Sequence, residues 1–536
     1  MKKYILLISI ATLTLTSCLD ENPRDRLDQE EAFTTVNDII LNTVANLYNY
    51  IGGNADSQGL QGTTRGIYDL NTFTTDEAIL PIRGGDWYDG GLWMSLYLHT
   101  FNPGTQPVGG AWNYLYKVIA LCSKAYSDLE SHVDQLGFET MNYFQTEVKA
   151  LRAMFYWYLL DLYGNVPYIT SPNTPIGDVE QISREELFYK VWDDLLEAQD
   201  ILAKQASNLE TEYYGRITAP VCWFLLAKMA LNAEIWTDND WTDEKRTPGK
   251  YILLDCGQEY LNAWEACIYW CEQISNLGYQ LEPFYENNFA VKNEMSMENI
   301  FVIPMNKNLY ANTFKYLFRS RHNNHSKALG MASENGTCAT IKAVRTYGYG
   351  SDNLDKRFAI NFDYDTVYVD DEVVLLDDGS PLVYKPLEVM LDLTGSPYEK
   401  TAGARMKKYE IDRTAYSDGL LQNNDIVLFR FADVLLMMSE AKVRNGENGD
   451  KELNLVRNRV YMEFRPATLD NLLDERLMEL QWEGWRRQDL IRFDRFHVSY
   501  DLREQLDGEE DRHTTVFPIP GHVIALNKKL KQNPGY

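Results

Sequence analysis

Residues 138–163 read FETMNYFQTEVKALRAMFYWYLLDLY, with apolar side chains returning every three or four positions and Gly164 standing where the run must stop. That period is helical, and a glycine immediately after it is a common helix terminator. The same spacing recurs in Glu30 to Ile51 and Gly110 to Leu129 upstream, and in Arg184 to Ala203, Ala219 to Trp236 and Gln258 to Leu277 downstream. Ser183-Arg184-Glu185-Glu186 reads as a capping box, and Gly278 follows the last of these runs. Long helices joined by short connections predict helix-turn-helix units of the tetratricopeptide type, at a spacing too irregular for a strict repeat. Helices resume at Phe431 to Asn445, Leu453 to Val460 and Leu469 to Asp494. The expected fold is mainly α: a tetratricopeptide-like scaffold over 29–281 and 430–494, with long irregular loops and a few short β-strands.

Two stretches lack the helical period. Residues 52–109 are rich in Gly, Thr, Asp and aromatics, and residues 283–425 mix β-like runs, Asn299 to Pro304 and Val367 to Leu376, with long loops. Loops displayed on a rigid scaffold are where binding concentrates. The proline-bounded tail from Val516 to Tyr536 is expected to strap onto the body.

Residues 1–17 are of another kind. Lys2 and Lys3, an apolar core from Tyr4 to Thr16, and Leu15-Thr16-Ser17-Cys18 make an export signal that ends in a lipoprotein cleavage box. The core is too short to span a bilayer. Removal of 1–17 would leave 18–536 as a single body lipidated on Cys18. At about 0.8 kcal/mol per buried methylene, two or three acyl chains would hold it on a membrane almost permanently. No later segment runs far enough without a charge to cross a bilayer.

The formal charge is −27. Such a surface repels nucleic-acid phosphates and anionic headgroups, so no nucleic-acid partner is expected and a neutral ligand is the easier one. Beyond Cys18 stand Cys122, Cys222, Cys256, Cys267, Cys271 and Cys338, mostly in apolar helical contexts. Buried free thiols and bridges are both open, and the spacing fits no zinc pattern. His322-x-x-His325 lacks the spacing and the Glu of a zinc protease, and Asp238, Asp240, Asp243 and Glu244 lack the turn glycine of an EF-hand. Phosphate loops and dinucleotide fingerprints are absent, so no metal or cofactor is assigned.

Several motifs stand in a specific order along nearly the whole chain. Lys149-Ala150-Leu151-Arg152-Ala153 precedes Tyr163-Gly164-Asn165-Val166-Pro167, and Gly215-Arg216-Ile217-Thr218 leads into Leu226-Ala227-Lys228. Arg430-Phe431-Ala432-Asp433-Val434-Leu435-Leu436-Met437 with Glu440-Ala441 follows, then Leu453-Asn454-Leu455-Val456-Arg457-Asn458-Arg459. The most specific set pairs Glu475-Arg476-x-x-Glu479-Leu480-x-x-Glu483-Gly484-x-Arg486-Arg487-x-Asp489-Leu490-Ile491-Arg492 with Phe517-Pro518-Ile519-Pro520 and Gln532-Asn533-Pro534-Gly535-Tyr536. Together they resemble SusD/RagB, the surface glycan-binding lipoproteins of Bacteroidetes. Ser439 stands where the family often has Ala. The resemblance implies a helical fold with tetratricopeptide-like units, and glycan capture outside the cell. It also implies a lid over a SusC-like TonB-dependent outer-membrane transporter. Asp20 and Glu21 after Cys18 are similar to the family's surface-export tag, which implies the outer face of the outer membrane.

Residues 74–99 hold the densest set of recognition side chains, in the N-terminal segment where the resemblance implies ligand contacts. A sugar ring has an apolar C–H face and a hydroxyl rim, so a glycan site needs flat aromatics flanked by hydrogen-bonding groups. Trp87, Tyr88 and Trp93 are the candidate platforms, and Arg83 and Asp86 the polar rim. The competing reading buries Trp93 and uses Asp76 structurally. A second cluster runs through Tyr310, Phe314, Tyr316, Phe318, Arg319, Arg321 and His322. From it the resemblance selects Tyr316 and His322 as further glycan contacts. Trp241 reads as an exposed loop tip.

Glu475, Glu479 and Glu483 line one helix face, with Arg476, Arg486, Arg487 and Asp489 close by, and read as an ion-pair lattice. Glycoside hydrolysis would need two carboxyls facing each other across a cleft, about 5–10 Å apart. The expected protein is not an enzyme; it binds oligo- or polysaccharide and delivers it to the transporter. Its rivals are an extracellular glycoside hydrolase and a transporter lid without a glycan site of its own.

Overall fold

A computed structural model of the protein describes residues 33–206, 211–243, 245–315 and 319–536. The lipidation call at Cys18 and the site call at Tyr316 lie outside the described residues. The expected scaffold is present as a chain of helices, each packed on the next. Gln106–Ser131 lies on Phe138–Tyr163, which lies on Arg184–Ile201, which lies on Ala219–Leu231. Ala263–Asn276 follows and packs on Phe431–Arg444, which also carries Asp450–Arg459 and Leu469–Leu480. Phe138–Tyr163 is buried almost all round beyond Gln145 because helices cover both its sides. A helix in that position is largely apolar all round, and its buried Glu147 and Asp161 are paired with Arg216 and Arg487.

Several expected helices have other bounds: Gly110 to Leu129 extends to Gln106–Ser131, Leu453 to Val460 becomes Asp450–Arg459, and four others differ for local reasons. The first is described over Val36–Tyr48 and contains a π-helical turn, Leu41–Ala45. The run through Ala219 to Trp236 breaks at Asn232, whose side chain donates to the Lys228 carbonyl at 2.9 Å and accepts from Arg492 at 3.0 Å. The run beginning at Gln258 starts instead at Ala263, because Asn262 and Glu265 form a capping box and Leu253–Asp255 pairs with Tyr260–Asn262 as a hairpin. Leu469 to Asp494 splits into Leu469–Leu480 and Arg486–Arg492, since Trp482 and Gly484 adopt left-handed φ values of 68° and 76° between them.

Among the described residues the strands form seven two-stranded antiparallel pairs. Asn299–Ile303 pairs with Ile426–Arg430, and both strands are buried along their whole length. The β-like run at Val367 to Leu376 contains the small hairpin Tyr368–Val369 with Glu372–Val373. Residues 52–109 are less open than their composition suggests. They hold the short helices Ile67–Thr72 and Leu92–Tyr97, and much of the segment between 59 and 83 is core.

The Trp241 expectation is corrected. Its ring is buried on Gly164, where an added Cβ would lie 3.0 Å from the indole, and the Arg184 guanidinium sits 5.6 Å from the ring centroid. The strap is present: the Phe517 amide donates to the Leu162 carbonyl at 2.7 Å. Asn533 Nδ2 donates to the carbonyls of Tyr163 and Phe517, each at 2.9 Å.

The three carboxylates belong to a buried ion-pair lattice, with two corrections: Glu483 lies beyond the helix end at Leu480, and the cations are not the expected Arg476, Arg486 and Arg487, which pair with Asp433, Asp76 and Asp161. Glu475 binds Arg357 and Arg457, Glu479 binds Arg357, Arg430 and Arg459, and Glu483 binds Arg430 and Lys408. Glu298 joins through Arg430 and Arg459. Burial alone would push the Glu479 carboxyl up, but Arg459, Arg430 and Arg357 outweigh it and hold it well below the usual carboxylate range. All six cysteines among the described residues are buried and unbridged. No helix there is long and apolar enough to cross a membrane.

Candidate functional site

The loop after Ile82 leaves the body through a tight turn. Arg83 and Asp86 exchange backbone hydrogen bonds across Gly84 and Gly85, whose φ values of 65° and 93° suit a two-residue hairpin turn. Gly84 also lies against the Glu399 carboxylate, which would have to shift to admit a Cβ 2.2 Å away. Beyond the turn Trp87 has φ 67°, a left-handed conformation that a bulky side chain rarely adopts. Strain of this kind persists where the surroundings over-determine it, and binding loops are where it gathers.

The surroundings of Trp87 do so. Its indole Nε1 donates to the Glu334 carbonyl at 3.2 Å, and its ring lies on Gly336, where a Cβ would be 2.6 Å from the ring. Below it Trp93 is buried and meets Trp87 edge-on at 6.4 Å and Phe73 at 5.5 Å. Trp93 Nε1 donates to Asp89 Oδ2 at 2.9 Å, and Arg319 holds its guanidinium 5.3 Å from the Trp93 ring while binding Asp69 with both nitrogens. Tyr88, the next residue along the loop, is 57% exposed.

The expected contacts therefore separate. Tyr88 is exposed and Trp87 half-buried on one loop, with the exposed Asp86 carboxylate 3.1 Å from Lys400 Nζ. Two expectations are corrected. Arg83 does not form a rim: it is fully buried and donates to the carbonyls of Gly336, Glu399 and Ala402 at 2.9–3.0 Å, so it pins the loop to two other segments. Trp93 is not a platform but the base on which Trp87 rests. His322 is half-buried and caps helix Asn323–Ala328 through Nδ1, which accepts from the Asn324 amide at 3.1 Å. Burial, with Arg405 adding to it, pushes its imidazole down to about 4, so it is neutral at pH 7.

A rim exists, made by residues that sequence reasoning missed. Arg65 donates to Asp56 at 3.0 Å and to Asp89 at 2.7 Å, and Lys315 donates to Asp56 at 3.1 Å. All four are partly exposed. The Lys315 amide donates to the Gly62 carbonyl at 2.7 Å, which brings the stretch just before Tyr316 to this rim. No sequence signal joins Asp56 and Arg65 to Trp87, because they meet through tertiary contacts, Arg65 on the Asp89 carboxylate and 5.6 Å from the Trp93 ring centroid. The platform with its rim suits a neutral polyhydroxylated ligand. Among the described residues no group of three or more His, Cys, Asp or Glu side chains is gathered to hold a metal.

Comparison with known proteins bears on the same question. A model of the SusD family matches residues 278–536, and one described as starch-binding, associating with outer membrane, matches 20–231. The starch-binding protein SusD of Bacteroides thetaiotaomicron is 23% identical over 520 residues, covering 89% of this chain and 87% of the relative. SusD-like protein P25 of Formosa agariphila is 24% identical and covers 80% of each chain. Surface glycan-binding protein A from Bacteroides thetaiotaomicron, solved in complex with laminarihexaose, superposes with a TM-score of 0.69 at 20% identity. The match covers 93% of this chain and 100% of that one. A laminarin-binding SusD-like protein gives 0.67 at 19%, covering 94% and 100%. With the two family models dividing nearly all of the sequence between them and the helical array shared with solved members, the chain belongs to the SusD/RagB family.

Proposed function

We propose that this protein is a non-enzymatic glycan-binding lipoprotein of the outer membrane. It captures oligo- or polysaccharide at the cell exterior and delivers it to a SusC-like TonB-dependent transporter. The observation that carries the reading is the Trp87–Tyr88 loop, an exposed phenol and a half-exposed indole on a rigid base beside a charge-paired rim. Stacking and hydrogen bonding at such a site give dissociation constants of roughly micromolar to millimolar, which suit a carrier that must release its cargo. Relatives named as starch-binding and laminarin-binding support the ligand class. The sequence at Cys18 supports the lipid anchor.

The binding reading also accounts for the acidic row. Glu475, Glu479 and Glu483 are each tied to buried cations, leaving no carboxyl of that row for acid or base work. Affinity electrophoresis through gels containing laminarin, starch, mannan or xylan tests the proposal. Wild-type protein is expected to be retarded in at least one gel, and the Trp87→Ala, Tyr88→Ala variant to migrate freely with its fold intact. Equal retardation of the two removes the site. New reducing ends accumulating with purified protein would replace binding by hydrolysis.

A further inference from the structure

A cavity of about 820 Å³ opens between the π-helical turn Leu41–Ala45 and the segment 304–312. Its volume falls in the range of about 300–1,000 Å³ typical of small-molecule sites. Nothing in the Trp87 loop lines it. It is built rather than left over. Gly215, at φ 65°, lies so close to Pro304 that a Cβ would fall 2.4 Å from the proline ring, and Gly52 meets Asn312 in the same way at 2.6 Å. Single π-helical turns inside α-helices are uncommon and occur often at functional sites.

The lining is uncharged apart from one arginine, and aliphatic side chains such as Ile40, Leu41, Ile51 and Leu309 share it with amides and rings. Asn46 and Asn49 present amides from the helix, Asn312 adds a third, and Phe144, Tyr214 and Tyr310 supply rings. Asn49 Nδ2 reaches Asn46 Oδ1 at 3.4 Å, so most of the hydrogen-bonding capacity of this pair is still available. Tyr310 is 44% exposed. The charged residue of the lining, Arg216, is already neutralised: it grips the Glu147 carboxylate with two nitrogens and lies over the Phe144 ring at 5.7 Å. An anionic ligand would have to displace Glu147. Amides and aromatic faces without net charge match a neutral sugar, whose hydroxyls pair with amides and whose C–H face meets a ring.

The cavity also adjoins the first site along the chain. Asn54 lines it two positions before Asp56, and Asn312 lines it three positions before Lys315; Asp56 and Lys315 form the rim beside Trp87. Three extended residues span at most about 11 Å. On this basis, and resting on the glycan-binding reading above, we propose that the cavity is a second saccharide subsite, which holds a distant portion of the same glycan chain whose other portion lies on Trp87 and Tyr88. Two linked weak contacts raise affinity steeply for ligands long enough to reach both.

The test is an array of neutral glycans from disaccharides to octasaccharides, probed with wild type, with Trp87→Ala, Tyr88→Ala, and with Asn46→Leu, Tyr310→Ala. The cavity variant is expected to lose about tenfold or more in affinity for the longest glycans that wild type binds, and to keep wild-type affinity for the shortest. Hydrogen exchange on wild type with the best-bound octasaccharide needs no variant to fold, and is expected to slow at 41–49 and 306–312. Cavity-variant binding unchanged at every length, or no slowing in those segments, overturns the subsite while leaving the Trp87 loop as the site. Wild type bound nowhere on the array overturns both readings.

Discussion

Trp87 hangs its indole N–H on the main-chain carbonyl of Glu334, 3.2 Å away and 247 positions later in the sequence. That bond fixes the plane of an aromatic ring which would otherwise swing freely at the tip of a glycine-rich loop, and Trp93 supports the ring from below. Display and support are separate tasks carried by two neighbouring tryptophans.

Substitution should separate the two tasks. Tyr88→Ala removes an exposed ring, so glycan affinity is expected to fall about tenfold or more while the melting temperature stays within a degree or two. Trp93→Ala empties a buried site and should cost roughly 3–5 kcal/mol of folding stability. Isothermal titration and urea unfolding on both variants check this; a Tyr88→Ala protein that unfolds early would place Tyr88 in the core.

Glu479 accepts from three guanidiniums in a fully buried setting. Glu479→Gln leaves those cations under-compensated, and destabilisation of about 3–5 kcal/mol is expected. The urea midpoint should drop sharply. A midpoint within error of wild type would mean that water or neighbouring carboxylates replace the lost charge.

Glu77 predicts a pH dependence of opposite sign to that of most carboxylates. Burial raises its carboxyl from 4.5 to about 8, against the opposing pull of the Trp482 amide, Lys408 and Arg486. The folded protein therefore keeps a proton that the unfolded chain releases above its ordinary value. This contribution is complete below about pH 4.5 and is lost as pH rises towards 8. Glu77→Gln, neutral at every pH, should flatten the decline. Its melting temperature relative to wild type is expected to be higher at pH 8 than at pH 5; equal differences at both would show that Glu77 is ionised in the fold.

Burial also governs the thiols. Cys122 and Cys256 are pushed up to about 12, and all six described cysteines are enclosed. Ellman's reagent should find almost none of the six in native protein at pH 8 and all of them in guanidinium. Fewer than six released on unfolding without reductant would reveal a bridge.

Much of the scaffold was legible because it rests on local period. Phe138–Tyr163 is found with the bounds its spacing and Gly164 predict, and Arg184–Ile201 begins at the Ser183 cap. Failures occurred where a distant partner overrides propensity. Leu469 to Asp494 reads as one helix, yet the Trp482 amide donates to the Glu77 carboxyl and the run is interrupted there. At the candidate site, composition identified the loop but could not sort its members. Trp87 and Trp93 are the same residue type six positions apart, and only the arrival of Arg319 and Phe73 from elsewhere makes one the floor and the other the surface. Arg83 misled for a like reason, since an arginine satisfied by three main-chain carbonyls looks in sequence like one waiting for a ligand.

The lattice around Glu479 has a consequence for biogenesis. Glu298 meets Arg430 across 132 positions, and Arg430 in turn needs Glu483. During synthesis from the amino end, Glu298 is therefore made well before Arg430, and Arg430 before Glu483. Every intermediate length holds ions that prefer water to a closed interior. A chain that stops short of Glu483 leaves Arg430 without part of its counter-charge, so closure of this interior waits for the carboxy-terminal segment.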